Sequence, residues 1–250
     1  MLAIIGGSGL TTLSNLDVSH REVVRTPYGE PSGPVVFGQI CGHQVMFLPR
    51  HGYGHTIPPH LVNYRANLWA LNHHKALGVI SVASVGGIRD DLQPGDIVLP
   101  NQIIDYTWGR KSTYFDGNGA PVTHIDFTEP YDAPLCQRIS DAAIQLGVEV
   151  KVGGVYAATQ GPRLETAAEI NRLARDGVDL VGMTGMPEAA LARELGLPYA
   201  AINVVANHAA GRGTSANGIH FESLDVVLQG AMGRVRSIIE KLVGCQSCGQ

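Results

Sequence analysis

The feature that most constrains this chain is the alternation of short Val- and Ile-rich runs with longer amphipathic segments. The short runs are bounded by Gly, Pro or Asp, which is typical of buried strands. They are Leu2 to Ile5, Val35 to Ile40, Val45 to Leu48, Val79 to Val85, Ile97 to Ile104, Gly153 to Ala158, Val178 to Met183 and Tyr199 to Ala206. The helical patterns are Pro59 to Leu77, Pro134 to Leu146, Glu165 to Arg175, Pro187 to Leu195 and Leu224 to Val243.

This order predicts an α/β fold, a single-domain three-layer sandwich over residues 1–244 with a central mixed β-sheet flanked by helices. Residues 245–250 are expected to be a C-terminal tail. The polar segment from Asp105 to Pro130 is predicted to be a long ordered loop, and loops of that length are often functional.

Composition narrows the class of ligand. A chain of 250 residues that is 44% hydrophobic can bury a full core. Its formal net charge of -4, without a block of like charges, argues against nucleic acid or an anionic membrane as a partner. Because no basic leader and no membrane-length apolar run is present, we expect a soluble, cytoplasmic protein that binds a small molecule.

The cysteines are not expected to bind metal. Cys245 and Cys248 form a lone CxxC in the tail, without the second pair that a structural zinc site needs. A redox or metal role is conceivable, but a solvated tail is the simpler interpretation, and no function is assigned to it.

A glycine-rich segment, Ile5-Gly-Gly-Ser-Gly9, follows the first predicted strand. Its backbone amides and the Ser8 hydroxyl could surround a phosphate. It lacks the third glycine of a dinucleotide fingerprint. A plain strand-ending turn is therefore an equal alternative.

A second segment combines a cation with histidines. Arg50 could hold a phosphate through its planar fork while His51 supplies a second donor. Metal binding by His51, His55 and His60 is a poorer interpretation, because no carboxylate or cysteine shares the segment. A structural role for some of these histidines stays open.

Two further strand ends carry polar groups. Ser84, with the amides near Gly86, could form another wall around an anion, or Gly86 could simply permit a bend. Asn207 follows the apolar run that ends at Ala206, where open α/β sheets place ligand-contacting groups. Its amide can both donate to and accept from a heterocycle.

Two residues near helix starts each have two interpretations. Glu165 could exploit a helix dipole, or it could turn inward and accept a hydrogen bond from a ring N–H. Met183 could belong to the core, or it could pack beneath a sugar.

Taken together, these segments resemble the trimeric purine nucleoside phosphorylase and methylthioadenosine phosphorylase family over nearly the whole chain. The motifs are Ile4-Ile-Gly-Gly-Ser-Gly9, Arg50-His-Gly, His55-Thr56, Asn63-Tyr-Arg-Ala-Asn67, Gln93-Pro-Gly-Asp-Ile97, Gly161-Pro-Arg163 and Met183-Thr-Gly-Met-Pro-Glu188. The resemblance implies a homotrimer in which phosphate, a co-substrate, attacks C1′ of a purine nucleoside. It implies no metal and no organic cofactor.

Positions that match the family's motifs imply residue roles. Met183 would line the ribose, and Asn207, Glu165 and His51 would be catalytic. The phosphate-binding residues would be Ser8, Arg50, His51, Ser84 and Thr184. His124, together with Val227, would form the pocket around the 5′ substituent, which the resemblance implies is completed by a neighbouring subunit.

The departures from the family concern the base. Adenine-cleaving relatives carry aspartate at the positions of Asn207 and Ala209, and Phe-Ser where this chain has Leu164-Glu165. With Glu165 accepting from N1–H and Asn207 donating to O6 or N7, the resemblance implies a 6-oxopurine, hypoxanthine above guanine. The favoured substrate is 5′-methylthioinosine. Alternatives are 5′-methylthioadenosine, inosine or guanosine, and, from another class, a nucleoside-binding module or a metal-dependent hydrolase.

Overall fold

The computed structural model describes residues 1–117 and 121–244, so the expected tail with Cys245 and Cys248 lies outside the described residues. In these ranges eleven strands form one branched, mixed sheet. The strands are β1 (Leu2–Gly6), β2 (Asp17–Glu22), β3 (Val35–Ile40), β4 (His43–Pro49), β5 (Val79–Gly87), β6 (Ile97–Leu99), β7 (Gln102–Asp105), β8 (Lys151–Val152), β9 (Val155–Ala158), β10 (Leu180–Gly182) and β11 (Tyr199–His208). The α-helices are α1 (Tyr64–His73), α2 (Ala133–Gln145), α3 (Ala167–Arg175), α4 (Gly185–Glu194) and α5 (Phe221–Gly244).

Both faces of the central sheet are covered, as the uninterrupted apolar strands predict. Ala3 and Ile5 of β1 pack into a core shared with α1 and α4. Leu2 and Ile4 point to the other face, into a core shared with α2 and α5. The three-layer α/β sandwich is thereby confirmed. None of the helices that the structure describes is long and apolar enough to cross a membrane.

Strand β5 changes partners along one of its edges. Residues 79–82 pair with β1 and residues 86–87 pair with β10, which runs antiparallel toward the end of β1. Among the described strands none pairs with residues 83–85 on that side, while β11 pairs with β5 along the other edge. The sheet therefore opens beside Ser84, at the kind of switch point where α/β sheets bind ligands.

Strand β11 contains an extra residue near its end. Val205 pairs with Val85, but Asn207, not Ala206, pairs with Gly86. Val205 is held on its other edge by hydrogen bonds with the Gly95 N–H at 2.7 Å and the Asp96 carbonyl at 2.9 Å. This β-bulge sets which face of the sheet Asn207 occupies.

One predicted strand is divided in two, and another is shorter than predicted. The run from Ile97 to Ile104 forms β6 and β7, which pair with β11 and β9 respectively. Pro100 separates them because it has no N–H for a ladder. The predicted strand from Gly153 to Ala158 begins only at Val155, because Gly153 and Gly154 adopt positive φ angles.

One further expectation was wrong, and one strand was not predicted at all. The predicted helix from Pro59 to Leu77 is a 3₁₀ turn, Pro59–Leu61, followed by α1, which begins after Asn63 accepts a hydrogen bond from the Ala66 N–H and ends at His73. Strand β2 was not predicted, because its sequence is polar and all six residues are exposed at the sheet edge. The segment after β7 is the expected loop in its described parts.

Candidate active site

The opening beside β5 leads into a cavity of about 840 Å³. It is lined by segments that follow β1, β4, β9, β10 and β11, by the end of β5, and by the start of α5. Eight of the predicted site residues line it, namely Ser8, Arg50, His51, Ser84, Glu165, Met183, Thr184 and Asn207. Residues far apart in the sequence thus meet in one site.

The glycine-rich segment is both a strand-ending turn and a wall of the cavity. The Leu10 N–H donates to the Gly7 carbonyl at 3.0 Å, which closes the turn. A Cβ on Gly7 would lie 2.7 Å from Arg50 Nη1 and from the Val82 carbonyl oxygen, so only glycine fits there. The turn brings the half-buried Ser8 to the cavity.

Arg50 is fully buried and its fork faces protein, which corrects the expectation that the fork would hold phosphate. Its Nε and Nη2 donate to the two oxygens of Glu188, Nη2 also donates to Ser81 Oγ, and Nη1 donates to the Val82 carbonyl. Within the described residues one Nη1 N–H is left for a ligand. Burial lowers the pKa of Arg50, but the Glu188 charge outweighs it and holds the pKa above its ordinary value.

His51 presents an acceptor to the cavity, where a donor was expected. Its Nδ1 lies 2.8 Å from the Ile57 carbonyl, which can only accept, so Nδ1 carries the proton. Burial, reinforced by the Arg50 charge, lowers the pKa of His51 to about 4. The ring is therefore neutral at pH 7, and Nε2 can accept a hydrogen bond from a protonated phosphate oxygen or a sugar hydroxyl.

Met183 and Thr184 follow β10, directly opposite the end of β1. Thr184 is buried and lines the cavity, and its N–H donates to the Tyr156 hydroxyl at 3.1 Å. Met183 is half-buried and lines the same cavity, so it is not an ordinary core methionine.

Glu165 does not cap a helix. Helix α3 begins after Thr166, and Glu169 takes the reciprocal place in its capping box. Glu165 instead lines the cavity, and its Oε1 accepts a hydrogen bond from Thr159 Oγ1 at 2.7 Å. The inward interpretation is the one this geometry supports.

Asn207 also lines the cavity, one residue before the end of β11. Its Nδ2 donates to the His208 carbonyl at 2.6 Å. The second N–H and the Oδ1 atom have no partner among the described residues, so they are left for a ligand. Ala209 lines the cavity as well, where a larger side chain would reduce the space.

The residues expected around a 5′ substituent are not in the cavity of a single chain. His124 is exposed and lies outside it, and Val227 is half-buried but does not line it. Leu224 and Leu228, on the same helix, line the cavity instead. Helical spacing puts these two residues on one face and Val227 beside it, which explains the misplacement.

Metal binding by the histidine segment receives no support. In the described ranges, 1–117 and 121–244, no three His, Cys, Asp or Glu residues are grouped as metal ligands.

Sequence reasoning gave no role to two charged residues that hold the site together, although Glu188 ends one of the quoted motifs. Glu188 is fully buried and also accepts hydrogen bonds from Ser81 Oγ at 2.7 Å and Tyr199 OH at 2.9 Å. Its only signal was a carboxylate within an apolar helix, which requires a buried partner. Arg110, from the long loop, donates to four backbone carbonyls and gave no signal. Its acceptors are those of Thr159, Gln160, Met183 and Met186.

The sequence model of the phosphorylase superfamily matches residues 1–244. The chain belongs to the phosphorylase superfamily.

The names of similar proteins in this superfamily refer to purine nucleosides as their substrates. A probable S-methyl-5′-thioinosine phosphorylase of Xanthomonas campestris is 55% identical over 212 residues, 85% of each chain. A protein of the same name from Pseudomonas syringae is 48% identical over 96% of this phosphorylase and 97% of the relative. The 6-oxopurine nucleoside phosphorylase of Pyrococcus furiosus is 45% identical over 84% of this chain and 80% of its own.

Solved structures match the fold of this phosphorylase closely. Methylthioadenosine phosphorylase from Schistosoma mansoni, in complex with adenine, superposes with a TM-score of 0.93. It is 31% identical, and the match covers 100% of this chain and 92% of the other.

Proposed function

We propose that this phosphorylase cleaves 5′-methylthioinosine with phosphate, yielding hypoxanthine and 5-methylthioribose 1-phosphate. The observation that carries the proposal is that Glu165 and Asn207 line one cavity together with Ser8, Ser84 and Thr184. A base-reading pair and a set of hydroxyls suited to an anion thus share one space.

The reaction needs opposite charges stabilised at two places. As the glycosidic bond breaks, the sugar becomes cation-like, as in other glycosyl transfers, and the departing purine becomes anionic. Phosphate, bound by the hydroxyls of Ser8, Ser84 and Thr184 and by the free N–H of Arg50, would stabilise the sugar and attack C1′. The remaining N–H of Asn207 would stabilise the base by donating to O6 or N7.

The proton on phosphate has a natural acceptor in this geometry. Because His51 Nε2 carries a lone pair, the site suits a phosphate that retains a proton, or a sugar hydroxyl. In either case His51 would act on the substrate as an acceptor.

The base preference follows from donors and acceptors. The carboxylate of Glu165 can accept from the N1–H of a 6-oxopurine, whereas adenine has a lone pair at N1. A mismatch would leave buried polar groups unpaired, which sites of this kind discriminate against strongly. The names of the relatives from Xanthomonas and Pyrococcus support the same class of base.

The sugar preference is supported by apolar side chains on the first turns of α5, where, among the described residues, Asp225 is the one charged residue that also lines the cavity. Leu224 and Leu228 line the cavity, and Leu228 packs beside Gly9, next to Ser8. A thioether methyl group gains from such contacts, whereas a 5′ hydroxyl would lose hydrogen bonds to water. Inosine and guanosine are therefore the second choice. The homotrimer that the resemblance implies would bring His124 from a neighbouring copy.

The test compares phosphate-dependent base release from methylthioinosine, methylthioadenosine and inosine, with and without EDTA. We expect methylthioinosine to have the highest kcat/KM, turnover to require phosphate, and EDTA to have no effect. Preference for methylthioadenosine would reject the base assignment. Turnover that needs metal and ignores phosphate would reject phosphorolysis altogether.

A further inference from the structure

Thr159 donates a hydrogen bond to the Glu165 carboxylate. It follows β9, and its Oγ1 is 2.7 Å from Glu165 Oε1. The two residues are six positions apart and are joined through Gly161 and Pro162, so the hydrogen bond closes this turn.

A second possible acceptor for the Thr159 hydroxyl is the Gly182 carbonyl, but that carbonyl already has a donor. Thr159 Oγ1 is 3.2 Å from the Gly182 carbonyl, and one hydroxyl proton serves one strong bond. The Gly182 carbonyl already accepts from the Thr159 backbone N–H at 2.8 Å. The shorter contact to a charged oxygen therefore takes the proton.

The backbone that carries Thr159 is held from two directions. Arg110 Nη2 donates to the carbonyls of Thr159 at 3.2 Å and Gln160 at 3.0 Å, and β10 accepts from the Thr159 N–H. The hydroxyl is thus a preorganised donor whose direction does not depend on the ligand.

We propose that Thr159 is a positioning residue for base selectivity, acting by donating its hydroxyl proton to Glu165 Oε1 so that Oε2 accepts the N1–H of a 6-oxopurine. This rests on the proposed function of Glu165. No described residue donates to Oε2, so that oxygen is available to the base. Because Thr159 occupies Oε1, Oε2 is presented as an acceptor, which matches the N1–H of a 6-oxopurine but would face the lone pair at N1 of adenine.

The experiment uses Thr159→Val, which removes the donor and retains the shape, and Thr159→Ser, which retains the donor, as its matched control. Hypoxanthine and adenine affinities are measured by calorimetry, together with kcat and KM for methylthioinosine and methylthioadenosine. We expect Thr159→Val to weaken hypoxanthine binding roughly tenfold and to reduce the preference for methylthioinosine to a similar degree. KM should change more than kcat, and Thr159→Ser should resemble the wild type.

A second pair of variants separates this role from a merely structural one. If Thr159 acts through Glu165, the double variant Thr159→Val, Glu165→Ala should bind hypoxanthine with the same affinity as the single variant Glu165→Ala. The proposal is overturned by unchanged selectivity in Thr159→Val, by an equal loss in Thr159→Ser, or by a full effect in the Glu165→Ala background. A wild-type preference for methylthioadenosine would instead reject the proposed function, whatever the difference between the Val and Ser variants.

Discussion

The Glu188 carboxylate accepts hydrogen bonds from both Nε and Nη2 of Arg50, at 2.7 and 2.9 Å, and both side chains are fully buried. Helix α4 and the residue that follows β4 are thereby joined beside the cavity. The pair orients the one Nη1 N–H that Arg50 has left for a ligand. If Arg50 binds phosphate as we propose, Glu188 acts on phosphate only through Arg50.

Glu188→Gln should lower both stability and phosphate affinity. Removing one charge from a buried pair leaves the other unpaired, and we expect a loss of about 3 kcal/mol in the free energy of unfolding. The KM for phosphate should rise more than the KM for the nucleoside. Urea unfolding and steady-state kinetics measure both effects, with Glu149→Gln at an exposed site as control. Equal increases in the two KM values would contradict the role assigned to Arg50.

Asn207→Asp should shift preference toward adenine nucleosides. The substitution replaces an amide donor by a carboxylate that can accept from the adenine amino group. Loss of a donor to the departing base typically costs about 100-fold in rate, so the kcat/KM for methylthioinosine should fall by about that factor. The ratio of kcat/KM for methylthioadenosine to that for methylthioinosine is the measurement. An unchanged ratio would mean that the base is read elsewhere.

The low pKa of His51 should make stability depend on pH. The unfolded chain binds a proton at His51 near pH 6.5, while the folded protein, because of burial and Arg50, binds it only near pH 4. The contribution of neutral His51 to the free energy of unfolding is thus complete above pH 6.5 and is lost as the pH falls toward 4. The free energy of unfolding should change by at most about 1.4 kcal/mol per pH unit in this range. Urea unfolding at pH 4.5 to 7.5 should give a shallower dependence for His51→Asn. Identical curves would show that the folded ring is not kept neutral.

Arg110→Lys should lower the stability of the protein and weaken nucleoside binding, although Arg110 itself does not line the cavity. One ammonium cannot reach the four carbonyls that the guanidinium bonds, and the lost hydrogen bonds should cost about 2–4 kcal/mol of stability. We also expect a higher KM for the nucleoside, since the segments of Glu165 and Met183 would be released. Thermal unfolding with the exposed Arg138→Lys as control checks this. Equal melting temperatures for the two variants would argue against a stabilising role for the four hydrogen bonds of Arg110.

The sequence predicted which strand ends meet, because apolar runs followed by Gly and polar residues indicate where a sheet ends. Ser84 lies near the end of a buried run rich in Val and Ile, and Asn207 directly follows another such run. The Arg50–Glu188 pair could not be predicted, because its members are 138 positions apart and nothing local links them. Likewise, the tautomer of His51 depends on a single carbonyl, that of Ile57, whose direction is set only by the folded turn.

The extra residue in β11 has a consequence for how base preference is encoded. If β11 were regular, Ala206 would lie opposite Gly86 and Asn207 would turn to the other side of the sheet. The turn at Gly95 and Asp96 forms hydrogen bonds with Val205 and thereby holds β11 in its observed register. If Asn207 reads the base as we propose, selectivity depends partly on the residue spacing in β11, and a substitution in the turn at Gly95 and Asp96, which does not contact the base, would change which base is preferred.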